Sequence, residues 1–139
     1  MKTKTLIMLA ILFVTSMNLE SCKKQCPAPE EPSRREILLN GTWHATVAEG
    51  YQDGNLVTTN DISQYDWQFM DNGKMLSYNT QNNSGQLYGY VITGDVEKIT
   101  FTADNGDVYP MNVLKLEKDK MELEAPVSAN AKYIYYFER

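Results

Sequence analysis

Two cysteines stand four residues apart in Ser21-Cys22-Lys23-Lys24-Gln25-Cys26, and a single histidine, His44, follows them. Further on, Asp104-Asn105-Gly106-Asp107 gathers three oxygen-bearing side chains around a glycine. A thiol becomes a working nucleophile only beside a positioned base, and a zinc site takes three or four nitrogen, sulfur or carboxylate ligands. His44 lies between Trp43 and Ala45, so a strand that turns Trp43 inward sends His44 out to solvent with Thr42 and Thr46. The acidic tetrapeptide lacks the long alternation and the distant Glu of a calcium loop, and reads as a hairpin turn. These residues assemble neither a catalytic set nor a metal site, and they imply no cofactor. The expectation is a protein that is not an enzyme.

The flanks of Cys22 point to a different role. Lys2 and Lys4 precede an apolar run, Leu6-Ile7-Met8-Leu9-Ala10-Ile11-Leu12-Phe13-Val14. A bilayer core takes about 20 such residues to cross, so this run is too short to span it. A basic start, a short apolar stretch and a small residue before the cut describe a secretory signal peptide. Leu19-Glu20-Ser21-Cys22 then resembles the bacterial lipobox, with an apolar residue at minus three, a small one at minus one and the obligatory Cys. The resemblance implies that residues 1–21 are removed and that Cys22 carries a diacylglyceryl thioether and an amide-linked acyl chain such as palmitate. Each buried methylene contributes about 0.8 kcal/mol, and stable attachment takes more than one chain. Cys26 is left as a lone thiol, read as an exposed linker cysteine in preference to an intermolecular disulfide.

The chain has a net charge of −5. From Asn40 onward 7 basic residues face 14 acidic ones, and the basic residues are scattered. Nucleic-acid binding rests on clustered Lys and Arg and is not expected. Residues 22–35, with Pro27, Pro29 and Pro32 and no large apolar side chain, read as a flexible tether. Its extended reach is on the order of 40 Å. Lys23 and Lys24 either touch anionic headgroups or stay solvated. Ser33 and Glu36 form the pattern of a capping box before Ile37-Leu38-Leu39, and Gly41 would end the short helix.

Beyond Gly41 turn signals recur every 8–13 residues or so, the spacing of an all-β sandwich or barrel. Between them lie nine alternating or aromatic segments: 42–51, 56–61, 65–70, 75–80, 86–93, 97–102, 108–116, 121–125 and 132–138. Asp71-Asn72-Gly73-Lys74 reads as a two-residue hairpin turn behind the aromatic face of Tyr65, Trp67 and Phe69. An open sheet would leave two bare edges, and closure removes them. The expected domain, residues 36–139, is therefore all-β: a single antiparallel up-and-down β-barrel of about 8–9 strands with a short N-terminal helix, the sandwich being the other candidate. In the final strand both faces of Lys132-Tyr133-Ile134-Tyr135-Tyr136-Phe137 are apolar, so the outer one calls for a cover or stays bare.

Asn40-Gly41-Thr42-Trp43, set after a short helix, resembles the Gly-x-Trp signature of the lipocalin superfamily. The lipobox, tether, Trp-x-Phe before Asn-Gly and aromatic last strand resemble the lipocalin-like domains of small bacterial lipoproteins. The resemblance implies a structural pair, Arg139 packed over Trp43 to close the barrel bottom, a cation–π contact of roughly 0.5–2 kcal/mol. Trp67, Phe69, Tyr78, Tyr90 and Phe101 are the candidate ligand-binding residues, lining either a plug or a cup. Two functions stay open: non-enzymatic binding of a small apolar or amphipathic molecule, or an interaction module with a filled barrel that meets an envelope protein partner. The expected location is the cell envelope, lipid-anchored in the outer membrane and facing the periplasm, with export to the cell surface as the other outcome.

Overall fold

Ser33 accepts a hydrogen bond from the Glu36 backbone N–H, and the Glu36 carboxylate accepts one from Ser33 N at 2.7 Å. This capping box starts helix α1 (Arg34–Leu39), and Gly41 leaves it at a φ of +86°. The computed structural model describes residues 29–139, and its compact unit runs from Pro32 to Arg139. Ser33 caps the helix, and Arg34 and Arg35 open its first turn. Arg34 donates to Val96 O at 3.2 Å, and Arg35 pairs with Asp71 at 3.0 Å.

Nine strands follow: β1 (Thr42–Gln52), β2 (Asn55–Asp61), β3 (Tyr65–Met70), β4 (Lys74–Asn79), β5 (Ser84–Thr93), β6 (Lys98–Thr102), β7 (Val108–Leu116), β8 (Lys120–Pro126) and β9 (Ala131–Glu138). Every pairing is antiparallel. Strand β1 closes the barrel. One of its edges pairs with β9, and the other is shared, Thr42–His44 with β3 and Val47–Gln52 with β2. Eight strands therefore make the closed barrel and β2 is an extra strand beside it. The division of partners falls at a bulge between Ala45 and Val47, where Thr46 donates its hydroxyl to Tyr136 O and accepts from Ile62 N.

The hairpin turns differ in length. Asp53 and Gly54, with φ of 51° and 80°, form a two-residue turn between the paired Gln52 and Asn55. The Asn72-Gly73 turn is not of this kind. Met70 pairs with Lys74, so three residues lie between them, and of the three only Gly73 has a positive φ, 75°. Gly73 N donates to Met70 O, and Asn72 Oδ1 holds Lys74 N. Asp104–Asp107 is a hairpin turn, Gly106 N donating to Ala103 O at 2.9 Å. Among the described residues no three His, Cys, Asp or Glu side chains are grouped to hold a metal ion.

The lower half of the barrel is filled. Trp43, Phe69, Met75, Ile99, Phe101, Met121, Leu123 and Phe137 are buried there, and Leu38 of α1 is buried against them. Burying a leucine this fully contributes about 1.5–3 kcal/mol. Arg139 seals this end, its guanidinium carbon 3.8 Å from the Trp43 ring centroid. It donates to Lys118 O at 3.0 Å and to Ile37 O, while Trp43 Nε1 donates to Leu38 O at 3.0 Å. The outer face of β9 is covered in part by its own sheet: Tyr136 donates its hydroxyl to Glu49, and Lys132 pairs with Glu124 at 2.6 Å.

Candidate functional site

Side chains alternate across a strand, so residues paired in register on one face form rungs around the barrel interior. Phe69, Met75 and Tyr88 make one rung; above it come Trp67, Ser77 and Gln86, and then Tyr65, Asn79 and Ser84. The lowest rung is bulky and closes over the core. In the middle rung Ser77 is small, and on β1 Ala45, beside Phe137 of β9, is small too. The short side chains of Ser77 and Ala45 both border the space that is left. The result is a cleft of about 680 Å³, open at the mouth, within the range of roughly 300–1,000 Å³ usual for ligand pockets.

Trp67 and Phe137 form its floor, with ring centroids 4.7 Å apart. Strands β3 and β9 give it an aromatic wall of Tyr65, Trp67, Tyr135 and Phe137, with Ala45 of β1 between them. Strands β4 and β5 and their turn give it Ser77, Asn79, Asn82, Ser84 and Gln86. A side recess of about 160 Å³ continues past Trp67 and Tyr88 toward Phe101, Tyr109 and Met111. No Asp, Glu, Lys, Arg or His lines either space. Burial raises the pKa of Tyr88, with Tyr109 and Tyr65 adding to it, and burial beside Tyr133 raises that of Tyr135. Both phenols therefore stay neutral hydrogen-bond donors at physiological pH.

The five candidates from the sequence separate into three places. Trp67 is in the cup and Phe101 in its side recess. Phe69 and Tyr90 lie below, in the plug, their rings edge to face at 5.3 Å, with the Tyr90 hydroxyl donating to Met70 O at 2.8 Å. Tyr78 is on the outside of the barrel, donating to Asn83 Oδ1 at 2.9 Å in a shallow groove with Thr42, Asp66 and Leu76. The turn length explains the misplacement. A two-residue turn at Asn72-Gly73 would set Tyr78 across from Trp67; the three-residue turn sets Ser77 there, and a slip of one residue reverses every side chain. The same slip concealed Ser77 and Asn79, while Tyr65 and Tyr135 were legible only as strand aromatics. His44 stands outside, its Nδ1 2.7 Å from Asp66 Oδ1 across the β1–β3 ladder. The expected lipid attachment at Cys22, and Cys26 with it, lie outside the described residues.

Two solved structures resemble this barrel. A lipocalin-like protein from Bacteroides uniformis matches with a TM-score of 0.52 at 16% identity, over 70% of this chain and 96% of that one. An uncharacterized protein from Bacteroides eggerthii matches with a TM-score of 0.50 at 17% identity, over 69% of this chain and 96% of that one. At these identities the likeness is one of fold: the domain is a lipocalin-like β-barrel. No protein-family model matches this chain, and no curated protein matches it.

Proposed function

We propose that this chain is a lipid-anchored protein of the bacterial cell envelope whose barrel binds a small, uncharged, amphipathic molecule without transforming it. The observation that carries the reading is the half-filled barrel: packed to its floor by large side chains, then open above Trp67 and Phe137 as a cup of about 680 Å³. The lipocalin-like fold supports it, being in general a fold for binding. The other reading, an interaction module with a filled barrel, draws on Leu56 and Val57, exposed on β2, but leaves the cup without a purpose.

Native mass spectrometry of the protein solubilised from its own host, followed by extraction, tests the binding. A co-purified small molecule is expected. Ser77→Leu, which fills the middle rung, should lose it while keeping the barrel. Protein that arrives empty, with Ser77→Leu indistinguishable from the parent, would reject the carrier. Anchorage is tested apart from this: Cys22→Ser should leave the membrane fraction, and retention of that variant while Cys26→Ser is released would reverse the assignment.

A further inference from the structure

We infer that the molecule held by the cup is a neutral carbohydrate, bound through one sugar ring at the end of a glycan. The inference rests on the binding function proposed above and names its ligand class. A pyranose has an apolar C–H face and a rim of hydroxyls, and the cup offers a separate surface to each. Trp67 and Tyr135 present aromatic rings on one wall, where weak C–H contacts and apolar burial favour the sugar face. Amides and hydroxyls line the adjoining wall, from β4, β5 and their turn.

Two of those amides are oriented in advance. Asn79 Oδ1 accepts from the backbone N–H groups of Gln81 and Asn82 at 3.0 and 3.2 Å. Asn82 Oδ1 in turn accepts from Ser84 N and Oγ, at 3.1 and 2.6 Å. With both carbonyls engaged, each amide has its NH₂ group left to donate, and among the described residues neither finds an acceptor. Hydroxyl oxygens of a sugar supply one. An acyl chain would desolvate these amides without replacing their water, and an ionised ligand would enter a space with no opposite charge. The open mouth beside the β4–β5 turn lets one ring enter while the rest of a glycan remains in solvent.

The test uses the chain from residue 22 onward carrying Cys22→Ser. Isothermal titration and tryptophan fluorescence follow its binding to gluco-, manno-, xylo- and galacto-oligosaccharides, to oligogalacturonate and to palmitate. At least one neutral series should bind, with oligogalacturonate about tenfold or more weaker for want of a countercharge. Gln86→Ala, at an exposed position of the middle rung, should weaken the neutral series about tenfold without lowering Tm, as expected for one lost hydrogen bond. Binding of palmitate or oligogalacturonate in preference to every neutral series would overturn the carbohydrate class and leave the binding function standing. Failure of all the probes, with a non-carbohydrate molecule extracted from native protein, would do the same. No probe bound and native protein empty would overturn both.

Discussion

Arg139→Ala tests how the barrel is closed. The guanidinium does three things at once: it stacks on Trp43 at 3.8 Å, donates to Ile37 O in α1, and donates to Lys118 O at 3.0 Å in the β7–β8 turn. The stacking contributes roughly 0.5–2 kcal/mol. A hydrogen bond from a charged donor contributes about 1.5–3 kcal/mol, and the one to Ile37 O counts nearly in full because α1 covers it. Lys118 lies at an exposed turn, where water replaces the lost donor, so that bond adds little. The total is about 3 kcal/mol, more than the stacking alone that the sequence led us to expect. For a domain of this size it lowers Tm by about 10–20 °C, read by circular dichroism melting. Arg139→Lys keeps the charge but not the planar fork, and should recover about half of the loss. A Tm for Arg139→Ala within about 3 °C of the parent would refute the closure, and a Lys variant as damaged as the Ala variant would show that charge contributes nothing.

Trp43→Ala should cost about 3–5 kcal/mol in urea unfolding, since the ring is fully buried and its removal leaves a cavity beneath α1. At Gly50 an added Cβ would meet Thr58 Cγ2 at 2.6 Å and Tyr133 Cε1 at 2.9 Å, so Gly50→Ala should cost about 1–3 kcal/mol, with Thr58→Ser recovering part of it. Alkaline pH should destabilise the barrel steeply. The pKa values of Tyr136 and Tyr90 are raised, chiefly by burial, as are those of Tyr88 and Tyr135, and that of Tyr51 is raised by its hydrogen bond to Glu49. A raised pKa means that the folded state holds the proton more tightly. The stability these groups contribute is then complete below pH 10.0, the ordinary tyrosine value, and is lost as pH rises through the raised values. Phenolate absorbance should therefore show fewer than nine tyrosines ionised before unfolding; all nine ionising in a folded barrel would contradict the burial described.

Much of this architecture was legible residue by residue. Ser33 and Glu36 form the box their spacing announces, because a capping box is closed within four residues. The nine strands lie within about two residues of the alternating segments, since period-two patterning and turn residues are both local signals. Trp43 and Arg139 came only through the likeness to a known signature, for nothing local brings residues 96 positions apart together. The cup was less legible than the barrel around it. The aromatic residues read as lining a plug or a cup divide between the two, Trp67 and Phe101 at the cup and its recess, Phe69 and Tyr90 in the plug, while Tyr78 lies on the outer face.

The sequence by itself determined that this chain makes antiparallel strands and, to within about two residues, where each begins and ends, and it favoured closure over a sandwich, because those outcomes follow from alternation, turn chemistry and the cost of bare edges. It did not determine what faces inward along β4. That was decided by one residue of turn length, Met70 pairing with Lys74, which turns Ser77 toward Trp67 and Tyr78 away. Nor did it determine that β1 divides its edge between β2 and β3, which leaves eight strands in the ring and a ninth outside. An inner surface of a barrel is a sum of registers between distant strands, and a cavity is the place where small residues from several of them happen to meet. Ala45 and Ser77 are unremarkable where they stand in the chain; only closure brings them to the border of one space and leaves room for a ligand.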